Sequence, residues 1–320
     1  MLRHAMRALV PLTLAAVAAS CSGDGGTGPR QPALVRVAYL DNLARLNVAQ
    51  AGTDPELTPV VGALPFASTE DGVILRTASG YSIYHPSTRE LDTLPLPASP
   101  TTTAGAVSPD GSLMSYVSTA VAGTVQHVYI HLVSLTTGAR DSVDVANRDE
   151  IVAAPQVVNS TPVFSPSGDS VAFLLPNPVG MQLLILEVPT KRVEVHPVPV
   201  SVSVYYTPLV GWPRWTQQAT IRFLARRKLN GVPMDTLVVL EVYPRQLDLP
   251  AHVVYAGAPP DSVAMADVNV YSFNGDGSAV AFGLATPTRS GIFTLRRGEA
   301  FFRPVVFQQD LAPRYPLIVP

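Results

Sequence analysis

The stretch Val107-Ser108-Pro109-Asp110-Gly111-Ser112-Leu113-Met114-Ser115-Tyr116 decides the fold, because it recurs without gaps further along the chain. Its second copy is Phe164-Ser165-Pro166-Ser167-Gly168-Asp169-Ser170-Val171-Ala172-Phe173, and its third is Phe273-Asn274-Gly275-Asp276-Gly277-Ser278-Ala279-Val280-Ala281-Phe282. A fourth, one residue shorter, begins at Trp215 with Thr216-Gln217-Gln218-Ala219-Thr220-Ile221-Arg222-Phe223, and a loose fifth runs from Phe66 through Glu70-Asp71-Gly72. In chain order the five starts are 41, 57, 51 and 58 residues apart, a period at which each unit covers the apolar face of its neighbour. Every copy reads as an apolar strand end, a tight turn built on Pro, Asp, Asn and Gly, and a second strand with apolar residues at alternate positions. Val171, Phe173, Val280 and Phe282 are therefore expected in the core.

Third strands follow at Val128 to Leu135, Leu183 to Val188, Thr236 to Val242 and Gly291 to Arg296, each with a fourth behind it, so one repeat makes four antiparallel strands. The Ser-Pro-Asp-Gly turn followed by an apolar strand resembles the TolB-type propeller repeat, a relative of the WD repeat. This resemblance covers residues 60 to 310 and implies an all-β propeller. It does not extend to TolB's separate amino-terminal α/β domain. The strand-like runs Leu34 to Leu40, Ala44 to Gln50 and Pro316 to Val319 are left over, and pairing the two chain ends would complete a sixth blade and hide the sheet edges. Six blades over residues 33–320 are the first choice, with five or seven as alternatives.

Ahead of the repeats, Arg3 and Arg7 precede an apolar run from Ala8 to Ala19, the pattern of a bacterial export signal over residues 1–20. Twelve helical residues span about 18 Å against a hydrocarbon core of about 30 Å, which favours a cleaved signal over a membrane span. Ala18-Ala19-Ser20-Cys21 resembles the lipobox of bacterial lipoproteins, in which the cysteine is acylated, and Cys21 is the only cysteine of the 320 residues. Ser22 resembles the sorting residue of lipoproteins sent to the outer membrane. Residues 21–32 are rich in glycine and form a tether with a mean reach of about 20 Å.

Charged residues make up 14% of the chain, at a formal net charge of −2 that becomes −4 once Arg3 and Arg7 leave with the signal. That balance lacks the basic footprint of a nucleic-acid-binding protein. His127 and His131 are four residues apart, but on a strand their α-carbons stand about 13 Å apart, too far to share one ion. No metal, cofactor or catalytic set is expected. The nearest approach to a nucleophile elbow, Gly80-Tyr81-Ser82-Ile83-Tyr84, reads as a strand.

Strand alternation sends the Ser-Pro-Asp-Gly turns to one end of the ring. Longer connections go to the other: Ser118 to Gln126, Ala146 to Ser160, Ser201 to Gly211, Arg226 to Asp235 and Ala256 to Asp267. Tyr205, Tyr206, Trp212, Arg214, Arg226 and Arg227 adjoin these connections around the Trp215 repeat and are the expected binding patch, combining flat apolar faces with fixed donors. The sequence thus points to a monomeric lipoprotein on the outer membrane, touching the bilayer through Cys21 alone. Its propeller is read as a non-catalytic scaffold for an envelope protein or glycan. A propeller hydrolase or lyase with scattered residues in the channel mouth is the alternative.

Overall fold

The repeated decapeptide folds identically in its three full copies because its first polar residue performs one task. Ser108, Ser165 and Asn274 each accept, through the side-chain oxygen, the backbone N–H five residues on: Leu113 at 2.9 Å, Ser170 at 3.1 Å and Ala279 at 2.9 Å. Gly111, Gly168 and Gly277 take the left-handed position of each turn at φ of 71°, 77° and 70°. In the shorter fourth copy Ala219 holds that conformation at φ 58°, and Thr216 accepts from Gln218 N at 3.3 Å.

The computed structural model describes residues 35–319 except 42, 70–71, 98–104, 123–124, 146–160, 178–179, 199, 210, 247–249, 260–264, 266, 286–289 and 309–313. The expected signal, the tether and Cys21 lie outside the described residues, as does the whole Ala146 to Ser160 connection. In chain order come β1 (Arg36–Leu40), β2 (Arg45–Gln50) and β3 (Glu56–Val61), then β4 (Leu64–Ser68), β5 (Val73–Arg76), β6 (Gly80–His85) and β7 (Glu90–Pro97). They are followed by β8 (Gly105–Val107), β9 (Leu113–Ala122), β10 (Val125–Ser134) and β11 (Arg140–Asp144), and by β12 (Pro162–Phe164), β13 (Ser170–Asn177), β14 (Gly180–Glu187) and β15 (Val193–Pro197). A one-turn helix, α1 (Val200–Tyr205), leads into β16 (Tyr206–Pro208), β17 (Gly211–Trp212), β18 (Arg214–Trp215), β19 (Ile221–Leu229), β20 (Val232–Val242) and β21 (His252–Gly257). The chain ends with β22 (Asp267–Phe273), β23 (Ala279–Ala285), β24 (Ser290–Arg296), β25 (Arg303–Gln308) and β26 (Arg314–Val319).

These strands form six sheets, the six-bladed propeller expected from the repeat. Blade 1 has the order β26-β1-β2-β3, so the carboxy-terminal strand pairs with the amino-terminal one and closes the ring. Blades 2 to 4 are β4 to β7, β8 to β11 and β12 to β15; blade 5 is β16-β19-β20-β21 with β18 also on β19; blade 6 is β22 to β25 with β17 added in parallel to β22. The first strands of successive blades touch around the ring, β26 to β4 to β8 to β12 to β18 and β22 back to β26, and so line its axis.

Apolar clusters sit between neighbouring blades, because successive side chains of a strand point to opposite sheet faces and each blade face is covered by the next. Val171 and Phe173 join Val128, Ile130 and Leu132 between blades 3 and 4, while Val280 and Phe282 lie with Tyr255 and Leu237 between blades 5 and 6; all four repeat residues are fully buried. Phe66, Tyr81, Met114 and Tyr116 fill the space between blades 2 and 3, and Val37, Tyr39, Ile292 and Ile318 the space between 6 and 1.

Three of the five expected long connections are largely strand or helix. Ser118 to Gln126 and Arg226 to Asp235 continue as the hairpins β9–β10 and β19–β20, and Ser201 to Gly211 contains α1 and β16. Strands of ten residues in β9 and β10 and eleven in β20 carry these hairpins farther than the four-residue β5.

Candidate loop-end site and ring axis

Strand direction gives the ring two ends. In blades 3 to 6 the first strand runs into a Ser-Pro-Asp-Gly-type turn and the second returns from it; β26 and β1 hold the same first and second places in blade 1, so Arg36 at the start of β1 and Val319 at the end of β26 pair at the tight-turn end. The tips of β9–β10 and β19–β20, together with α1, belong to the opposite end.

Trp212 does not lie on that surface. The first strand of blade 5 is interrupted between β16 and β18, and the excursion places Gly211 beside Tyr271 and Trp212 beside Ser272 in the inner strand of blade 6. From there the indole Nε1–H donates to Phe66 O at 3.3 Å and Gly105 O at 3.1 Å, on the inner strands of blades 2 and 3 across the ring. Trp212 is 7% exposed and packs with Leu317 and Val319 of β26. It fills the ring axis, and its burial corrects the expectation that its face is available to a partner. Gly211 permits the approach, since a Cβ there would collide with the Tyr271 ring and main chain.

Arg214 is also removed from the expected patch. It pairs in register with Arg222, toward the tight-turn end, and its side chain runs beside Gly277 of the blade 6 turn. The facing Arg222 is neutralised by Glu241, with Nε donating to Oε1 at 2.9 Å, which relieves the repulsion of two directly opposed cations.

The other four expected residues come together. Tyr206 pairs with Arg227 and Thr207 with Arg226, which sets the end of α1 against the outer part of β19. Arg226 is a brace: Nε donates to Met234 O at 2.8 Å, and Nη2 donates to Asp235 Oδ1 at 2.9 Å and Met265 O at 3.2 Å. The side chain of exposed Arg227 makes no hydrogen bond or ion pair among the described residues. Two residues on, Leu229 faces Val232 across the Asn230-Gly231 turn, whose φ values of 52° and 81° are those of a tight two-residue hairpin. Leu229 is 59% exposed, Val232 65%, Tyr205 59% and Val204 52%. Val204, Leu229 and Val232 were not among the expected residues; Asn230-Gly231 was the available signal for the last two, because it marks a hairpin tip rather than a loop.

A second constellation lies on blade 3. Ser118 Oγ and His131 Nε2 are 2.6 Å apart, His131 stacks on Tyr116 at 4.6 Å, and Tyr129 and His127 continue the row along β10. His127 Nδ1 bonds Asp144 Oδ2 at 2.6 Å, so the two histidines have separate partners. To take a serine proton, Nε2 must be the acceptor and Nδ1 must carry hydrogen, usually toward an orienting carboxylate. His131 Nδ1 is buried with no hydrogen-bond partner, and Asp144 is engaged by His127. Burial, with the Arg140 charge adding, pushes the His131 pKa down from 6.5 to about 4, opposing the imidazolium that such a reaction requires. Among the described residues no group of three or more His, Cys, Asp or Glu side chains is arranged to hold a metal.

That depressed pKa has a measurable consequence. Unfolded His131 takes up a proton near pH 6.5 and folded His131 only near pH 4, so stability decreases as pH falls through this window and levels off below it. The shift corresponds to about 3 kcal/mol at most, reduced to about 1–2 kcal/mol by solvent screening at this partly exposed site. Urea titrations at pH 7 and pH 4.5 should show the parent losing that much more than His131→Gln; parallel losses would remove His131 as the source.

No protein-family model and no curated protein matches the chain. TolB from Acinetobacter baumannii aligns with a TM-score of 0.59 at 14% identity, over 89% of this chain and 67% of that one. A TolB-like protein from Agrobacterium tumefaciens gives 0.48 at 12%, covering 90% and 99%, and an oligogalacturonate lyase from Vibrio parahaemolyticus gives 0.48 at 12%, covering 85% and 79%. At such identities a likeness speaks for architecture alone, and the first of the three establishes that this chain has the β-propeller fold of TolB.

Proposed function

We propose that the protein is an exported, lipid-anchored protein of the bacterial outer membrane whose propeller is a non-catalytic scaffold holding a protein or glycan partner at its loop end. The observation that carries this reading is the contrast between a ring axis filled by Trp212 and a cluster of Val204, Tyr205, Arg227, Leu229 and Val232 left open at the tip of blade 5. A rigid ring presenting apolar and cationic side chains at one rim is suited to recognition. A photocrosslinking amino acid at position 205 should give adducts in envelope preparations, whereas one at position 217, exposed in the tight turn of blade 5 at the opposite end, should not. Equal labelling from both positions, or none from 205, would defeat the reading.

The anchor is tested separately. Cells grown with labelled palmitate should label the parent chain and not Cys21→Ala, and the variant should fractionate as soluble protein, since the glycine-rich tether has no membrane affinity of its own. A variant that still requires detergent for extraction would contradict the anchor.

A further inference from the structure

We infer that the tip of blade 5 recognises a protein segment in which a carboxylate is flanked by aliphatic side chains. This rests on the reading of the loop end as a binding face and names the chemistry of its partner.

The hairpin supplies both halves of the complement. Leu229 and Val232 form a directly opposed pair beyond the first residue of β16, where Tyr206 meets Arg227, so the pair projects past its neighbouring strand. Cross-strand partners share a sheet face, and although the register with β20 shifts between Arg226 and Lys228, exposed Arg227 and Leu229 alternate along β19 with half-buried Arg226 and Lys228, which puts Arg227 on the side of Leu229. The result is an aliphatic step with a guanidinium at its inner edge and Tyr205 and Val204 of α1 adjoining it. Arg226 and Arg227 differ in a way that bears on specificity. Arg226 spends its donors on Met234, Asp235 and Met265 and holds the hairpin in place. Arg227 is exposed with its five N–H donors uncommitted among the described residues, and the planar fork of an unpaired arginine fits a carboxylate bidentately.

Other occupants fit less well. Sugar rings stack on flat aromatic faces amid several fixed polar groups, and the indole that could have served is buried at the ring axis. A twofold contact with another copy over this patch would set one Arg227 near its equivalent, placing like charges together as apolar surface is buried.

A library of random peptides displayed on phage, selected on the full-length protein in detergent micelles, tests the chemistry directly. Peptides enriched on the parent should combine Asp or Glu with Leu, Ile or Val. The best of them, titrated by fluorescence anisotropy, should weaken about tenfold with Leu229→Ser or Val232→Ser. Arg227→Glu should abolish that binding and shift selection toward Lys-containing peptides, because the charge it meets is reversed. All three positions are exposed, so unchanged melting curves will show that the variants remain folded. Enrichment without acidic residues, no enrichment, equal affinity for parent and variants, or saturable binding of oligosaccharides dependent on Tyr205 would each overturn the inference. Adducts from position 205 together with a failed peptide selection would sink this chemistry alone, whereas missing adducts would sink the broader reading as well.

Discussion

A chain ending at Pro313 is expected to show no cooperative unfolding transition. The missing residues form β26, the inner strand of blade 1, which pairs with β1 from Arg36↔Val319 to Leu40↔Arg314 and is tied to blade 6 by Ile318 N donating to Ser272 Oγ at 2.8 Å. Leu317, Ile318 and Val319 are 1%, 8% and 4% exposed, so their burial contributes roughly 5–9 kcal/mol in total. That is comparable with the whole stability of a typical domain, about 5–15 kcal/mol. The loss also uncovers the edge of β1 and opens the ring beside β4 and β22. Leu317→Ala is the graded control: it should keep a cooperative transition at a cost of about 2–5 kcal/mol. A truncated chain that melts like the parent would show that blade 1 stands on its three amino-terminal strands and that ring closure contributes little.

Closure was legible in the sequence because it follows from a count: five repeats accounted for most of the chain, and the strand-like residues left over stood at its two ends. The turns were legible for a different reason. Ser108, Ser165 and Asn274 each bond within five residues of themselves, so their tasks are written locally. The candidate patch was only half legible. Tyr205, Tyr206, Arg226 and Arg227 lie near one another because β16 pairs with β19, but the division between a bracing Arg226 and an open Arg227 depends on Met265, 39 residues away. Val200 to Tyr205 alternates valine and serine, a period-two pattern that argues for strand, yet forms a turn of helix where packing against blades 4 and 5 overrides β-branched propensity. Arg214 was misplaced by proximity: two residues beyond Trp212, it has already passed from the excursion back into blade 5 near the opposite end.

Trp212→Ala is expected to lower stability by about 3–5 kcal/mol, as a core deletion does, and not to act as a binding mutation. Its hydrogen-bond acceptors lie 146 and 107 residues away in sequence, a placement that no local pattern encodes. Because the indole comes from between blades 5 and 6 and bonds to blades 2 and 3, its removal leaves a cavity at the axis and two carbonyls without their donor. Loss of packing and loss of the donor can be separated. Trp212→Phe keeps an aromatic ring at the axis but supplies no N–H, so it should cost about 1–3 kcal/mol, the penalty for leaving buried acceptors unpaired. Urea unfolding of the three proteins gives the order parent, Phe, Ala. If both variants unfolded at the parent's midpoint while losing a partner, Trp212 would have to face outward and the axis would be filled by something else. If Phe and Ala were equally destabilised, the hydrogen bonds to Phe66 and Gly105 would matter more than the volume of the ring, and the axis would be held by polarity instead of packing.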